Sequence, residues 1–124
     1  MFTITHLKTR FSWIDGRQGS GYSKLKLFEM FKVFPMDIYL LKFPHGSFIP
    51  EHTDCVKAGY KHYRLNIILK KSVSGGEFLS ESHIFNFERF KFFRPDISKH
   101  SVTQVLGGNR IVLSVGFLLK DKGD

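Results

Sequence analysis

The chain has 124 residues, enough for one compact domain, and its 42% hydrophobic and 24% charged residues are the balance of a soluble globular protein. A single cysteine, Cys55, excludes an internal disulfide framework and any zinc site built from several thiolates, and no apolar run approaches the roughly 18 residues that span a bilayer. An excess of 19 Lys+Arg over 11 Asp+Glu leaves a net charge of +8, which favours anionic partners: nucleic acid, phosphorylated metabolites or carboxylates.

Met1 to Trp13 lacks a long apolar stretch and carries Lys8 and Arg10, so no secretory leader is expected and the expected location is the cytoplasm. Phe2 to Leu7 has the composition of a strand. Ser12 to Gly21 is polar and Gly-rich, a loop. Lys24 to Phe31 spaces Leu25, Leu27, Phe28 and Phe31 as a short helix or an irregular cover would. Asp37 to Phe43 reads as a strand, and Ser47 to Asp54 as a second whose Pro50 implies an edge or a bulge. His62 to Leu69 is a third. Gly76 to Leu79 and His83 to Phe87 suggest a hairpin around Ser80–Ser82. Phe90 to Phe93 follows. Lys99 to Val105 and Asn109 to Leu118 then form two strands joined at Leu106-Gly107-Gly108. About eight short strands divided by turn residues predict a mainly β fold, a jelly roll of the cupin-like double-sheet type. The 14 Phe can fill a core in so short a chain because each ring buries a large area.

Chemistry concentrates at His52-Thr53-Asp54. On a strand, residues i and i+2 share a face, so an imidazole and a carboxylate stand side by side. His100 lies on another predicted strand. Two imidazoles and a carboxylate make the facial triad of non-haem Fe(II), which leaves three octahedral positions open. Arg110 follows ten residues later, and the expected hairpin brings it next to His100. Arg110, Val112 and Ser114 alternate onto one face. A guanidinium can fork onto a carboxylate, and a nearby hydroxyl can add a third bond. Each piece alone is more often structural: a surface strand pair, a core histidine, an edge arginine. Their combination and order favour a site. Cys55 would point away from Asp54, as a buried thiol rather than a ligand.

Residues 37 to 119 resemble the superfamily of 2-oxoglutarate- and Fe(II)-dependent oxygenases, prolyl-hydroxylase-like members in particular. The resemblance is carried by LLKFPHGSFIPEHTD, by RLNIILK followed by SGGEF, and by HSVTQVLGGNRIVLSVGF. It implies a double-stranded β-helix with His52, Asp54 and His100 on Fe(II). It implies that Arg110 holds the far carboxylate of 2-oxoglutarate, with Ser114 as helper, and that O2 is the oxidant. Phe43 and Phe48 stand where many relatives carry a tyrosine that contacts the co-substrate, and Tyr39, on the same face as Phe43, is a candidate for that role. Arg64 and Asn66 share a face and could reach the co-substrate or the substrate, unless Arg64 is spent on a carboxylate of the sheet exterior. Members that halogenate lack the carboxylate that Asp54 supplies, so its presence favours hydroxylation.

The expected organisation is one oxygenase domain over 1–124, with 1–36 as an N-terminal cover and 37–119 as the jelly-roll core. The expected activity is hydroxylation of an unidentified anionic substrate (nucleic acid, protein or small metabolite) coupled to conversion of 2-oxoglutarate to succinate. No membrane partner is expected, and a homodimer is compatible with the chain. Two readings compete: a non-catalytic jelly roll that binds a metal or metabolite, and a basic β-barrel that binds nucleic acid, which would need base-stacking aromatics beside clustered cations.

Overall fold

Period-two alternation of side chains sets the architecture, most plainly in the chain's last long strand. The computed structural model describes residues 12–16, 19–31 and 34–121, and no helix occurs among them. The larger sheet has seven antiparallel strands. In spatial order they are β1 (Trp13–Asp15), β2 (Ser23–Met30), β3 (Met36–Phe43), β12 (Arg110–Lys120), β5 (Tyr60–Lys70), β9 (Phe90–Phe93) and β8 (Phe85–Phe87). A three-stranded sheet holds β4 (Ile49–His52), β10 (His100–Val102) and β7 (Phe78–Ser80), and β6 (Ser74–Gly75) pairs with β11 (Val105–Leu106). The result is a jelly roll, the double-stranded β-helix shared with cupin-like proteins.

β12 runs down the middle of the large sheet, between β3 and β5. Its Arg110, Val112, Ser114 and Gly116 are buried, and the residues between them are half-buried on the other face. The core lies where this inner face meets the smaller sheets. Phe43, Val112 and Ile68 pack with Val102 and Val105, and Leu41, Ile49 and Phe78 close around them. Phe43 is fully buried and stacks on Tyr22 with ring centroids 5.0 Å apart. Burying such a ring stabilises the fold by about 1.5–3 kcal/mol.

Several expectations need correction. Lys24 to Phe31 is not a helical cover but mostly strand β2, paired with β3. A register shift between Lys26 and Phe28 breaks the alternation there, which is why its apolar spacing mimics a helix. The expected loop 12–21 contains β1. The hairpin around Ser80–Ser82 does not form: β7 pairs with β10, and β8 pairs with β9 in the other sheet. β10 and β12 are not neighbours either, because β10 pairs with β4 and β7. A jelly roll passes its chain back and forth between sheets, so strands adjacent in sequence often do not pair. Among the described residues there are twelve strands, several only two or three residues long, where about eight were expected. Cys55 is exposed, not buried. The segment Phe2 to Leu7 lies outside the described residues.

Candidate metal centre

His52 closes β4 and lies directly opposite His100 of β10 in the antiparallel register. Cross-strand partners project to one face, so the two imidazoles meet with centroids 4.3 Å apart. Asp54 lies beyond the end of β4, and its backbone N–H donates to the carbonyl of Pro95 at 2.8 Å. This turns the carboxylate back onto the histidines: Oδ1 is 3.1 Å from His52 Nε2, and Oδ2 is 3.9 Å from His100 Nε2. One ligand atom from each of the three residues falls within 4.8 Å of the others.

The far nitrogens are committed. His52 Nδ1 lies 2.7 Å from the Pro50 carbonyl, and His100 Nδ1 lies 2.9 Å from the Ser98 carbonyl. A carbonyl only accepts, so each Nδ1 donates a proton, and in the neutral rings Nε2 is the acceptor nitrogen, on the side of Asp54. Two imidazole nitrogens and one carboxylate oxygen suit a borderline divalent transition metal, Fe(II) included. His100 is backed by Phe93, with ring centroids 5.0 Å apart, and by Phe78 at 6.3 Å. The three side chains thus form a group that could hold a metal ion.

These three side chains border a cavity of about 330 Å³, and Arg110 and Tyr39 line it from the large sheet. Arg110 is only 4% exposed, with its guanidinium 4.8 Å over the Phe43 ring. Among the described residues no side chain gives it a hydrogen bond or ion pair. Burial lowers its pKa to about 10, so it stays cationic at neutral pH. His100 and Arg110 reach this cavity from different sheets, not from the two arms of a hairpin.

Arg64, Asn66 and Ser114 also line the cavity but chiefly bind one another. Arg64 donates from Nη1 to Ser114 Oγ at 2.8 Å and from Nη2 to Asp37 Oδ1 at 2.8 Å, and Ser114 donates to Asn66 Oδ1 at 2.6 Å. The Arg64–carboxylate pair therefore exists, on the inner face instead of the exterior. Ser114 serves Arg64, four residues along the strand from Arg110. Burial raises the Tyr39 phenol's pKa, and Lys24 Nζ sits 5.3 Å from its ring centroid. Lys24 and Tyr22 line the cavity as well and were not singled out from sequence. The helical reading of 24–31 hid the alternation that turns Lys24 inward.

No family model and no curated protein matches the chain. Solved structures do match, at low identity. A structure of Rhodobacter sphaeroides SigE in complex with the anti-sigma ChrR gives a TM-score of 0.53 at 19% identity, covering 84% of this chain and 48% of that one. KdgF from Halomonas sp. gives 0.58 at 14% identity, covering 86% of each chain. The viral collagen prolyl hydroxylase vCPH from Paramecium Bursaria Chlorella virus-1, in its 2OG complex, gives 0.52 at 16% identity, covering 70% of this chain and 60% of that one. The chain spans about half the length of the first match and three-fifths of the third. At these identities the likeness shows a common fold. No helix among the described residues is long and apolar enough to cross a membrane.

Proposed function

We propose that this chain is an Fe(II)- and 2-oxoglutarate-dependent dioxygenase that hydroxylates an anionic substrate. The observation that carries the reading is Arg110: a buried guanidinium with no carboxylate of its own, in the same cavity as a His-Asp-His set. A buried charge left unpaired is costly, and a ligand carboxylate supplies what is missing. The prolyl hydroxylase among the structural matches, solved with 2OG, supports the same choice. When bound, the iron supplies the activation of O2 that couples 2-oxoglutarate decarboxylation to insertion of one oxygen into a substrate C–H bond.

The chain's own residues bind and orient. His52, Asp54 and His100 would hold the ion from one side. Arg110 would anchor the far carboxylate of 2-oxoglutarate and set its direction. The bonds from Nδ1 to the Pro50 and Ser98 carbonyls fix the imidazoles before any ligand arrives. Phe78 and Phe93 keep water from one side of the centre. Lys24 adds positive charge to the cavity beyond that of Arg110, which favours an anionic substrate.

Calorimetry with Mn(II) in place of the redox-active ion tests this. Wild-type protein should bind Mn(II) and then 2-oxoglutarate. His52→Ala should lose the metal. Arg110→Met should keep the metal and weaken 2-oxoglutarate by about 100-fold or more, as removing one partner of a buried charge pair does. A Mn(II)-loaded wild-type protein that ignores 2-oxoglutarate would overturn the reading.

A further inference from the structure

Arg110 borders a second cavity, of about 510 Å³, that the metal centre does not use. Its walls are the 71–77 turn and the inner face of β9, and Lys71 and Lys91 line it together with Arg110. Gly76 makes this junction possible. A Cβ there would stand 2.9 Å from Arg110 Cδ and 2.7 Å from Ser72 Oγ, so only glycine lets the arginine stem pass.

Three cations thus share one cavity. Lys91 Nζ donates to Asn86 Oδ1 at 2.6 Å, a neutral acceptor that leaves its charge uncompensated. Burial lowers the pKa of that ammonium, and the nearby Lys71 and Arg110 lower it further while Glu88 acts against them. Glu88 and Glu77 border the cavity too, and both are exposed, as is Lys71. Among the described residues neither forms an ion pair with the three cations. Nearby backbone donors are taken: Gly76 N–H bonds Gln104 O, and Glu77 N–H bonds Thr103 Oγ1. Side-chain charge is what remains to recognise a ligand.

We propose that this second cavity binds a small oxyanion, a phosphate or carboxylate group, through Lys71, Lys91 and the shared guanidinium of Arg110. Such an anion neutralises Arg110 and weakens the binding of 2-oxoglutarate in the neighbouring cavity, by the same factor in both directions. That coupling rests on the proposed function, whereas anion binding itself does not.

The probes are inorganic phosphate and citrate, titrated into metal-free protein by calorimetry. At least one should bind, and which one does separates phosphate from carboxylate chemistry. Lys71→Met and Lys91→Met should each weaken it about tenfold or more, because each removes a charge-assisted bond. Lys91→Arg should retain binding. Lys120→Met, which removes an exposed charge at the far end of β12, should change nothing, and His52→Ala should bind the anion as wild type does. Failure of both probes to bind overturns the proposal. Equal loss in Lys120→Met, or no loss in Lys71→Met and Lys91→Met, also overturns it, by assigning the effect to net charge or to the first cavity. Because the His52→Ala arm needs no metal, failure of the oxygenase reading leaves a distinct result.

Discussion

Arg64 owes its position to an absence. Gly116 lies across from it on β12, and a Cβ at that position would come within 2.1 Å of Arg64 Nη2 and 2.4 Å of Cζ. The guanidinium occupies that space and reaches both Ser114 and Asp37. Gly116→Ala therefore pushes a flexible side-chain tip off two bonds. We expect a loss of about 1.5–3 kcal/mol, the usual worth of hydrogen bonds to a charged group, with Mn(II) binding retained. Urea denaturation reads the first and calorimetry the second, and a variant as stable as wild type would mean that these bonds contribute nothing. Arg64 and Arg110 share a sheet face, a cavity and a charge, yet differ in kind. One is satisfied by the protein and the other by no described residue, so they suit different tasks.

At the scale of elements, the short ribbon of β6 and β11 depends on Gly75, whose φ is +64° and whose added Cβ would sit 1.9 Å from the Gln104 carbonyl oxygen. Backbone cannot step aside as a side-chain tip can. Gly75→Ala should cost more than the roughly 1 kcal/mol typical of glycine replacement at positive φ, seen as a lower urea midpoint and early amide exchange in residues 72–77. The strands easiest to read from sequence are those with long alternating runs, β3, β5 and β12. The candidate metal group was legible in part: cross-strand pairing brings His52 and His100 together, but the expected strand 47–54 ends at His52, so Asp54 joins them through its bond to Pro95 and not through the pleat. Pairing was harder to read. The turn between β8 and β9 falls at Glu88-Arg89, with Glu88 at φ +50°, and carries none of the Gly or Asn that announces a tight turn. β2 was hidden by its bulge, and with it Lys24. The partners of Arg64 and the second face of Arg110 depend on which strands adjoin β12, which local pattern does not state.

For the whole molecule, the net charge of +8 is partly gathered on one surface. The inner face of the large sheet brings Lys24, Arg64, Lys91 and Arg110 toward two cavities. The phenylalanines divide as well: Phe43, Phe78 and Phe93 line the first cavity, whereas Phe85, Phe87 and Phe90 are 43%, 62% and 42% exposed along the β8–β9 edge. Acid should loosen the fold through His62. Burial first, and then the Arg64 guanidinium, hold this imidazole below its ordinary value of 6.5. The unfolded chain therefore takes up a proton near pH 6.5 that the folded chain refuses. Stability is full above that pH and falls as pH drops below it, toward the lower folded value. Melting temperatures between pH 8 and pH 5 should show a shallower acid decline for His62→Gln than for wild type, and equal slopes would remove His62 as the cause. The bond from Asp54 N–H to Pro95 O has a consequence at this scale. It ties the carboxylate to the chain just past β9 of the large sheet, while both histidines belong to the small one. An ion gripped by all three would act as a clasp between the two halves of the sandwich, so loading the centre would slow the breathing of the whole barrel.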